Sequence, residues 1–307
     1  MTLTVLGTSA AIPAYGRHLS ATVVAHGPRL FLLDCGEGTQ FRMQAAGLSA
    51  LRLDAVFITH AHGDHLYGLP GVLSTMALLG RRAPLVVVGP KGLGAWLDAT
   101  PGLERLPFDL RMDEWAPGTA KATVWDDDVA TVTARALDHR VPTMGYRVEE
   151  RPRPGNLDAA KARALGISGW ADFRALKSGR TVTAPDGRVV HPDEVVGPKP
   201  RPHAVAYCLD TRPCEGGRLL ALDAEVLIHD ATFGDDLSVR ATETGHSTAR
   251  EAAEVARQAG ARRLLLTHIS ARYPSVEPLV EEAQAVFEAS EAACEGIAVQ
   301  IAGPVWA

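Results

Sequence analysis

Four side chains able to bind a cation fall within six consecutive positions: His60, His62, Asp64 and His65, in the stretch FITHAHGDHLYGLPG. Imidazole and carboxylate together suit zinc, at ligand distances of ~2.0–2.2 Å. The run directly follows Ala55–Thr59, which reads as a fully buried strand, and leads into His65–Leu79, which reads as a helix. A strand end presents ligands rigidly, and Gly63 lets the loop fold back on itself. A single tetrahedral ion cannot take all four from so short a loop without strain. Placing His60 and His62 on one ion and Asp64 and His65 on a second relieves this, and each ion must then recruit ligands from afar. His139 in ALDHRVPTMGYR, Asp210 in AYCLDTRP and His268 in LLLTHIS qualify, because each follows an apolar run where a buried strand emerges.

Those ligands need a scaffold. Strand-length apolar runs occur at Leu3–Gly7, Ala21–Ala25, Leu30–Leu33 and Leu85–Val88, with further strands around Phe108–Met112, Val129–Leu137 and Gly145–Glu149. Later strands are expected at Ala204–Cys208, Val226–Ile228, Leu264–Thr267 and Ile297–Ile301. Helices are expected at Thr39–Ala46, Ala249–Ala259 and Val276–Phe287, the second opened by a capping box from Thr248 and Glu251. Strands lead and helices follow in each half, an order that suggests two sheets face to face with helices outside.

The chain has 307 residues, 46% hydrophobic and 22% charged, with a net charge of −5, so a large single α/β domain is within reach. An acidic balance does not advertise a nucleic-acid binder, and any RNA substrate requires locally concentrated cations. One segment, residues 149–202, interrupts the strand pattern with Pro, Gly and charge, as a functional or disordered insertion does. Residues 147–180 carry a net charge of +4, which places the missing cations there. Cys35, Cys208, Cys214 and Cys294 form no CxxC pair and read as reduced thiols of a cytoplasmic protein, with a Cys208–Cys214 disulfide disfavoured. The opening MTLTVLGTSAAIP lacks the features of a signal peptide, and no apolar run reaches the ~18 residues of a membrane span. His18, His26, His191, His203 and His229 read as ordinary surface or core histidines.

HAHGDH matches the HxHxDH signature of the metallo-β-lactamase superfamily, and His139, Asp210 and His268 follow in the order of its remaining ligands. Beyond that signature, LGTSAAIP, LLDCGEGTQFRM, ALDHRVPTMGYR, IHDATF and GHSTAREAAEVA resemble the ribonuclease Z family, over nearly the full chain. The resemblance implies an αββα sandwich over residues 1–307 with an inserted arm. It implies two zinc ions, one on His60, His62 and His139, one on Asp64, His65 and His268, with Asp210 bridging. It further implies a cytoplasmic homodimer that removes the 3′ trailer of precursor tRNA, leaving a 3′ hydroxyl on the tRNA and a 5′ phosphate on the trailer. Two such ions activate a water for attack at phosphorus. Asp64 would hold or accept the proton of the attacking water. His246 would act as general acid, oriented by Asp230.

Three departures carry expectations. Asp230 stands where the family has Glu, so its bond to His246 is expected to be longer or bridged by water. Leu209 replaces a Gly, which is expected to restrict the turn before Asp210. The arm tip, Gly166–Phe173, lacks the family's Gly-Pro-rich character, and Trp170 and Phe173 are expected to pack within the arm rather than stack on bases. The competing function is hydrolysis of a small phosphodiester, sulfate ester or lactone on the same metal scaffold.

Overall fold

The computed structural model describes residues 1–301. The strands are Thr2–Gly7 (β1), Ala21–His26 (β2), Arg29–Leu33 (β3), Ala55–Phe57 (β4), Leu85–Pro90 (β5), Leu110–Trp115 (β6), Lys121–Asp126 (β7), Ala130–Ala136 (β8), Met144–Glu150 (β9), Val182–Thr183 (β10), Val189–Val190 (β11), Ala204–Cys208 (β12), Val226–Asp230 (β13), Leu264–Thr267 (β14), Ser290–Ala292 (β15) and Ala298–Gln300 (β16). Among the described residues, one sheet runs β16-β1-β2-β3-β4-β5-β6 and a second runs β15-β14-β13-β12-β9-β8-β7. Each sheet has an antiparallel half and a parallel half; β3 to β6 are parallel in one, and β12 to β15 in the other.

Side-chain alternation builds three apolar layers. Leu3, Val24, Phe31, Leu33 and Phe57 point from the first sheet into a central core shared with Val132, Tyr146, Val205, Tyr207 and Ile228 of the second. The other face of the first sheet, with Leu32, Val56 and Val87, packs on Leu69, Val72 and Met76 of the helix Leu69–Leu78. Leu227, Leu264 and Leu266 pack likewise on Ala252, Ala253 and Ala256 of the helix Ala249–Ala259. This is the αββα metallo-β-lactamase sandwich.

The helix Ala249–Ala259 is capped as expected: Glu251 N donates to Thr248 Oγ1 at 3.2 Å, and Thr248 N donates to Glu251 Oε2 at 2.8 Å. The expected helix His65–Leu79 is instead broken into Gly63–Leu66 and Leu69–Leu78. Gly68 lies at the break, where a Cβ would stand 2.0 Å from the Gly36 carbonyl oxygen, and Pro70 follows at the start of the second helix. β6 lies two residues beyond its expected start, because its ladder with β5 continues to Trp115, a lid on the central core. The edge strand β7, half polar in sequence, was not foreseen.

Arg151–Pro202 forms a second compact unit. It contains helices Ala159–Ala164, Trp170–Lys177 and Pro192–Val195 and the β10–β11 hairpin, packed around Ala162, Ile167, Phe173, Leu176, Val190 and Val195. Phe173 is buried as expected, whereas Trp170, expected to pack, is 75% exposed. All four cysteines are free.

Candidate active site

The parallel strands deliver the chemistry at their C-terminal ends, where open α/β sheets place ligands. Asp34 follows β3, His60 lies three residues beyond β4, Asp210 two beyond β12, Asp230 ends β13 and His268 follows β14. Asp34, Asp210 and His268 adopt left-handed backbone with φ of 58°, 49° and 58°. Non-glycine residues hold that conformation only when their surroundings impose it, at a cost of about 1–3 kcal/mol each. Leu209, expected to constrain this turn, is not among the residues of positive φ; the left-handed step falls on Asp210 itself.

Six imidazoles close into a ring. Centroids of successive rings lie 4.5 Å apart for His60–His62, 5.3 Å for His62–His139, 5.1 Å for His139–His246, 5.3 Å for His246–His268, 5.2 Å for His268–His65 and 4.3 Å for His65–His60. Asp210 sits inside: its carboxylate lies 3.0 Å from His65 Nε2, 3.2 Å from His268 Nε2, 3.5 Å from His60 Nε2 and 3.6 Å from His139 Nε2. Burial opposes its charge, but the charges of His268, His65 and His60 prevail and hold the carboxyl well below the usual carboxylate range. Asp64, held by Ala11 N at 2.9 Å and beside His65 and His268, is likewise kept ionised against its burial.

Five of the six rings are oriented through Nδ1, while His62 Nδ1 lies 2.8 Å from His60 Nε2, and two buried carboxylates do the orienting with the same wiring. Asp34 accepts from His65 Nδ1 at 2.7 Å, Thr59 N at 2.8 Å, Thr59 Oγ1 at 3.0 Å and Tyr207 OH at 3.1 Å; Thr59 Oγ1 in turn lies 3.0 Å from His60 Nδ1. Asp230 accepts from His246 Nδ1 at 2.8 Å, Thr232 Oγ1 at 2.7 Å, Thr232 N at 2.9 Å and Thr211 N at 3.1 Å; Thr232 Oγ1 lies 2.9 Å from His268 Nδ1. His139 Nδ1 donates to the Gly245 carbonyl at 2.7 Å. The direct 2.8 Å contact of Asp230 with His246 corrects the expectation of a longer or water-bridged bond.

A cation fits this donor set. His60, His62, His139 and Asp210 converge as one group of potential ligands, and Asp64, His65 and His268 as another. His139 Nε2 is buried without a hydrogen-bond partner. Buried imidazoles with Nδ1 committed to an acceptor present Nε2 as a lone pair, the arrangement usual for metal-ligating histidine. Burial lowers the His65 pKa, but the charges and hydrogen bonds of Asp210 and Asp34 raise it on balance, and the carboxylates that favour a proton there favour a cation for the same reason. His246 joins Asp210, Asp230 and His268 in a third convergent group, but its Nδ1 and the Asp230 carboxylate are bonded to each other.

Besides the threonines and the tyrosine that bond Asp34 and Asp230, sequence reasoning missed two acidic contributors. Asp34 appeared only within LLDCGEGTQFRM, and its signal was a carboxylate directly after an apolar strand. Glu295 had no sequence signal; it accepts from Thr8 N at 2.9 Å and His18 N at 2.8 Å, fastening both ends of the loop that carries Ala11 to Asp64. The histidines read as ordinary have partners outside the ring: His18 bonds Glu295, His26 and His203 pair with Glu150, His191 caps the helix Pro192–Val195, and buried His229 bonds the Asp230 carbonyl.

The family described as "Anti-Pycsar protein Apyc1" matches residues 1–93, and the "Beta-lactamase superfamily domain" matches residues 179–269. The chain is 54% identical over 294 residues to ribonuclease Z of Salinibacter ruber, covering 94% of this chain and 91% of the relative. It is 41% identical to ribonuclease Z of Bacillus licheniformis, covering 95% and 96%. Among solved structures it is similar to the short form of human tRNase Z, with a TM-score of 0.69 and 28% identity over 98% of this chain and 100% of that one. The metallo-β-lactamase fold protein YhfI of Bacillus subtilis shares the fold at a TM-score of 0.67 and 21% identity, covering 97% and 98%.

Proposed function

The chain belongs to the ribonuclease Z family and is a hydrolytic endoribonuclease, and we propose that it removes the 3′ trailer of precursor tRNA using two zinc ions. The observation that carries the reading is the imidazole ring around Asp210 with His246 at its edge, in a chain that resembles named ribonucleases Z along nearly its whole length. In the proposed assignment His60, His62 and His139 hold one zinc, Asp64, His65 and His268 the other, and Asp210 bridges. When bound, such a pair supplies acidified water and neutralises charge on the phosphoryl oxygens.

The chain's own residues do the rest. His246 donates Nδ1–H to Asp230, so its second nitrogen faces the cavity shared with Asp64 and His268 and can hand a proton to the leaving 3′ oxygen. Asp230 stabilises the cationic form: burial lowers the His246 pKa, but the charge and hydrogen bond of Asp230 raise it on balance. Asp64 is positioned by Ala11 N to receive the proton of the attacking water. The Arg151–Pro202 unit would act as the tRNA-gripping arm.

Further parts of the reading concern assembly and place. Phe41 and Leu79, 67% and 63% exposed, line one groove with Met43 and Leu48, and apolar side chains gathered there support homodimerisation. Among the described residues no helix is long and apolar enough to cross a membrane. Four free thiols suit a reducing cytoplasm.

The test is incubation of the purified protein with a precursor tRNA and, separately, with bis(p-nitrophenyl) phosphate. A single cut at the trailer junction, leaving a 3′ hydroxyl on the tRNA, is expected. Cleavage of the small ester alone would transfer the protein to the competing class of small-ester hydrolases.

A further inference from the structure

The cavity beside the imidazole ring, about 460 Å³, is bordered by three exposed arginines: Arg140, Arg240 and Arg272. Elsewhere in the sandwich unit arginines are commonly tied down. Arg29 pairs with Asp54 and Asp127, Arg81 donates to four backbone carbonyls, and Arg212 pairs with Asp138. The guanidinium groups of Arg140, Arg240 and Arg272 make no hydrogen bond or ion pair among the described residues. Unpaired guanidinium forks at the mouth of a phosphodiesterase site match phosphate geometry, and backbone phosphates are what position a nucleic-acid strand.

The three are not equivalent. Arg140 packs against the His246 turn: a Cβ placed on Gly245 would lie 3.3 Å from Arg140 Cγ. Arg240 is on the helix Ser238–Thr244, which runs directly into Gly245 and His246. Both therefore stand beside the proton donor. Arg272 follows the His268–Ser270 turn, where Ala10 N donates to the Ile269 carbonyl at 3.0 Å and Ala11 N holds Asp64. It stands with the Asp64 wall.

We propose that Arg140 and Arg240 bind backbone phosphates of the strand that carries the leaving 3′ oxygen, and that Arg272 binds the first phosphate of the trailer beyond the scissile one. The upstream side is set by chemistry. The proton from His246 goes to the 3′ oxygen of the upstream nucleotide, so cations beside His246 face upstream nucleotides. Arg272, joined to the segment that bonds the Asp64-holding loop rather than to the Gly245–His246 turn, is the arginine this assignment leaves for the strand beyond the cut. The mouth then selects which phosphodiester of a continuous strand enters, and it requires a trailer longer than one nucleotide for full binding. This inference rests on the precursor-cleavage reading above.

The test compares kcat/KM on two precursors, one with a single-nucleotide trailer and one with a long trailer, for the wild type, Arg272→Ala and the Arg140→Ala/Arg240→Ala pair. A single-nucleotide trailer has no phosphate beyond the scissile one. Arg272→Ala is expected to lose on the order of tenfold on the long trailer and little on the short one, with Arg272→Lys recovering most of the loss. The upstream double variant is expected to lose on the order of tenfold or more on both, with the same ratio between them as the wild type. The dependence of log KM on log salt should become shallower by roughly 0.7 for each phosphate deprived of its arginine. Equal losses by Arg272→Ala on both precursors, or a trailer-dependent loss in the upstream variant, would overturn the assignment. Wild-type protein that cuts neither precursor would remove the functional reading beneath it instead.

Discussion

Replacing Asp34 by Asn changes no volume and tests whether the buried carboxylate sets the metal-binding tautomer of His65. Asp34 accepts four hydrogen bonds. An amide keeps one acceptor oxygen, which can serve Thr59, and turns an NH2 group toward His65 Nδ1 and Tyr207 OH. The tyrosine hydroxyl can rotate to accept. His65 can accept only by giving up its Nδ1 proton, which moves the proton to Nε2, the nitrogen 3.0 Å from Asp210. A protonated Nε2 cannot ligate. Losing such an orienting partner costs roughly 10–100-fold in metal affinity. The metal-free protein should also lose about 1–3 kcal/mol, the cost of one mismatched buried polar pair. Competition against a chromophoric chelator gives the affinity, and urea unfolding with chelator present gives the stability. An Asp34→Asn protein that binds two zinc ions as tightly as the wild type would refute the role given to this carboxylate.

Three other outcomes are expected. His246→Ala should slow precursor cleavage by roughly 10²–10⁴-fold, the usual range for a lost general acid, while metal analysis still finds two ions per chain; loss of an ion would make His246 a ligand. Asp230→Asn removes the charge that raises the His246 pKa; because a general acid works only while protonated, the alkaline limb of the kcat profile should move to lower pH, and an unmoved limb would detach Asp230 from the proton transfer. Asp64→Ala should abolish turnover and lower bound metal, and chelation of the wild type should lower its melting temperature by several degrees, since a ligand at ~100 times its Kd contributes about 2.7 kcal/mol; a melting temperature indifferent to chelator would argue against a structural share for the ions.

Legibility in the sequence followed the range of the interactions. His60, His62, Asp64 and His65 were visible because their spacing is local, and His139, Asp210 and His268 because apolar runs mark the ends of buried strands. The split between Gly63–Leu66 and Leu69–Leu78 was not visible, since it depends on Gly36, remote in sequence, pressing its backbone against Gly68. Asp34 hid for the same reason: its four donors come from positions 59, 65 and 207. The Asp230–His246 distance could not be read from side-chain length, because Thr211 and Thr232 fix where the carboxylate sits. Within Arg151–Pro202 the abundance of Pro and Gly masked short helices whose small core is nonetheless regular.

The excursion from Arg151 to Pro202 begins and ends on adjacent rungs of one ladder: Glu149 faces Ala204 across β9 and β12, and Glu150 N donates to the His203 carbonyl at 3.0 Å. Its entry and exit are thus already stitched together by the sandwich. A lineage can lengthen, shorten or replace the intervening cassette without disturbing the register of the strands that carry Asp210 and its neighbours. The hydrolytic machinery and the accessory module are free to diversify at separate rates, with old chemistry adapted to new clients through a single splice point.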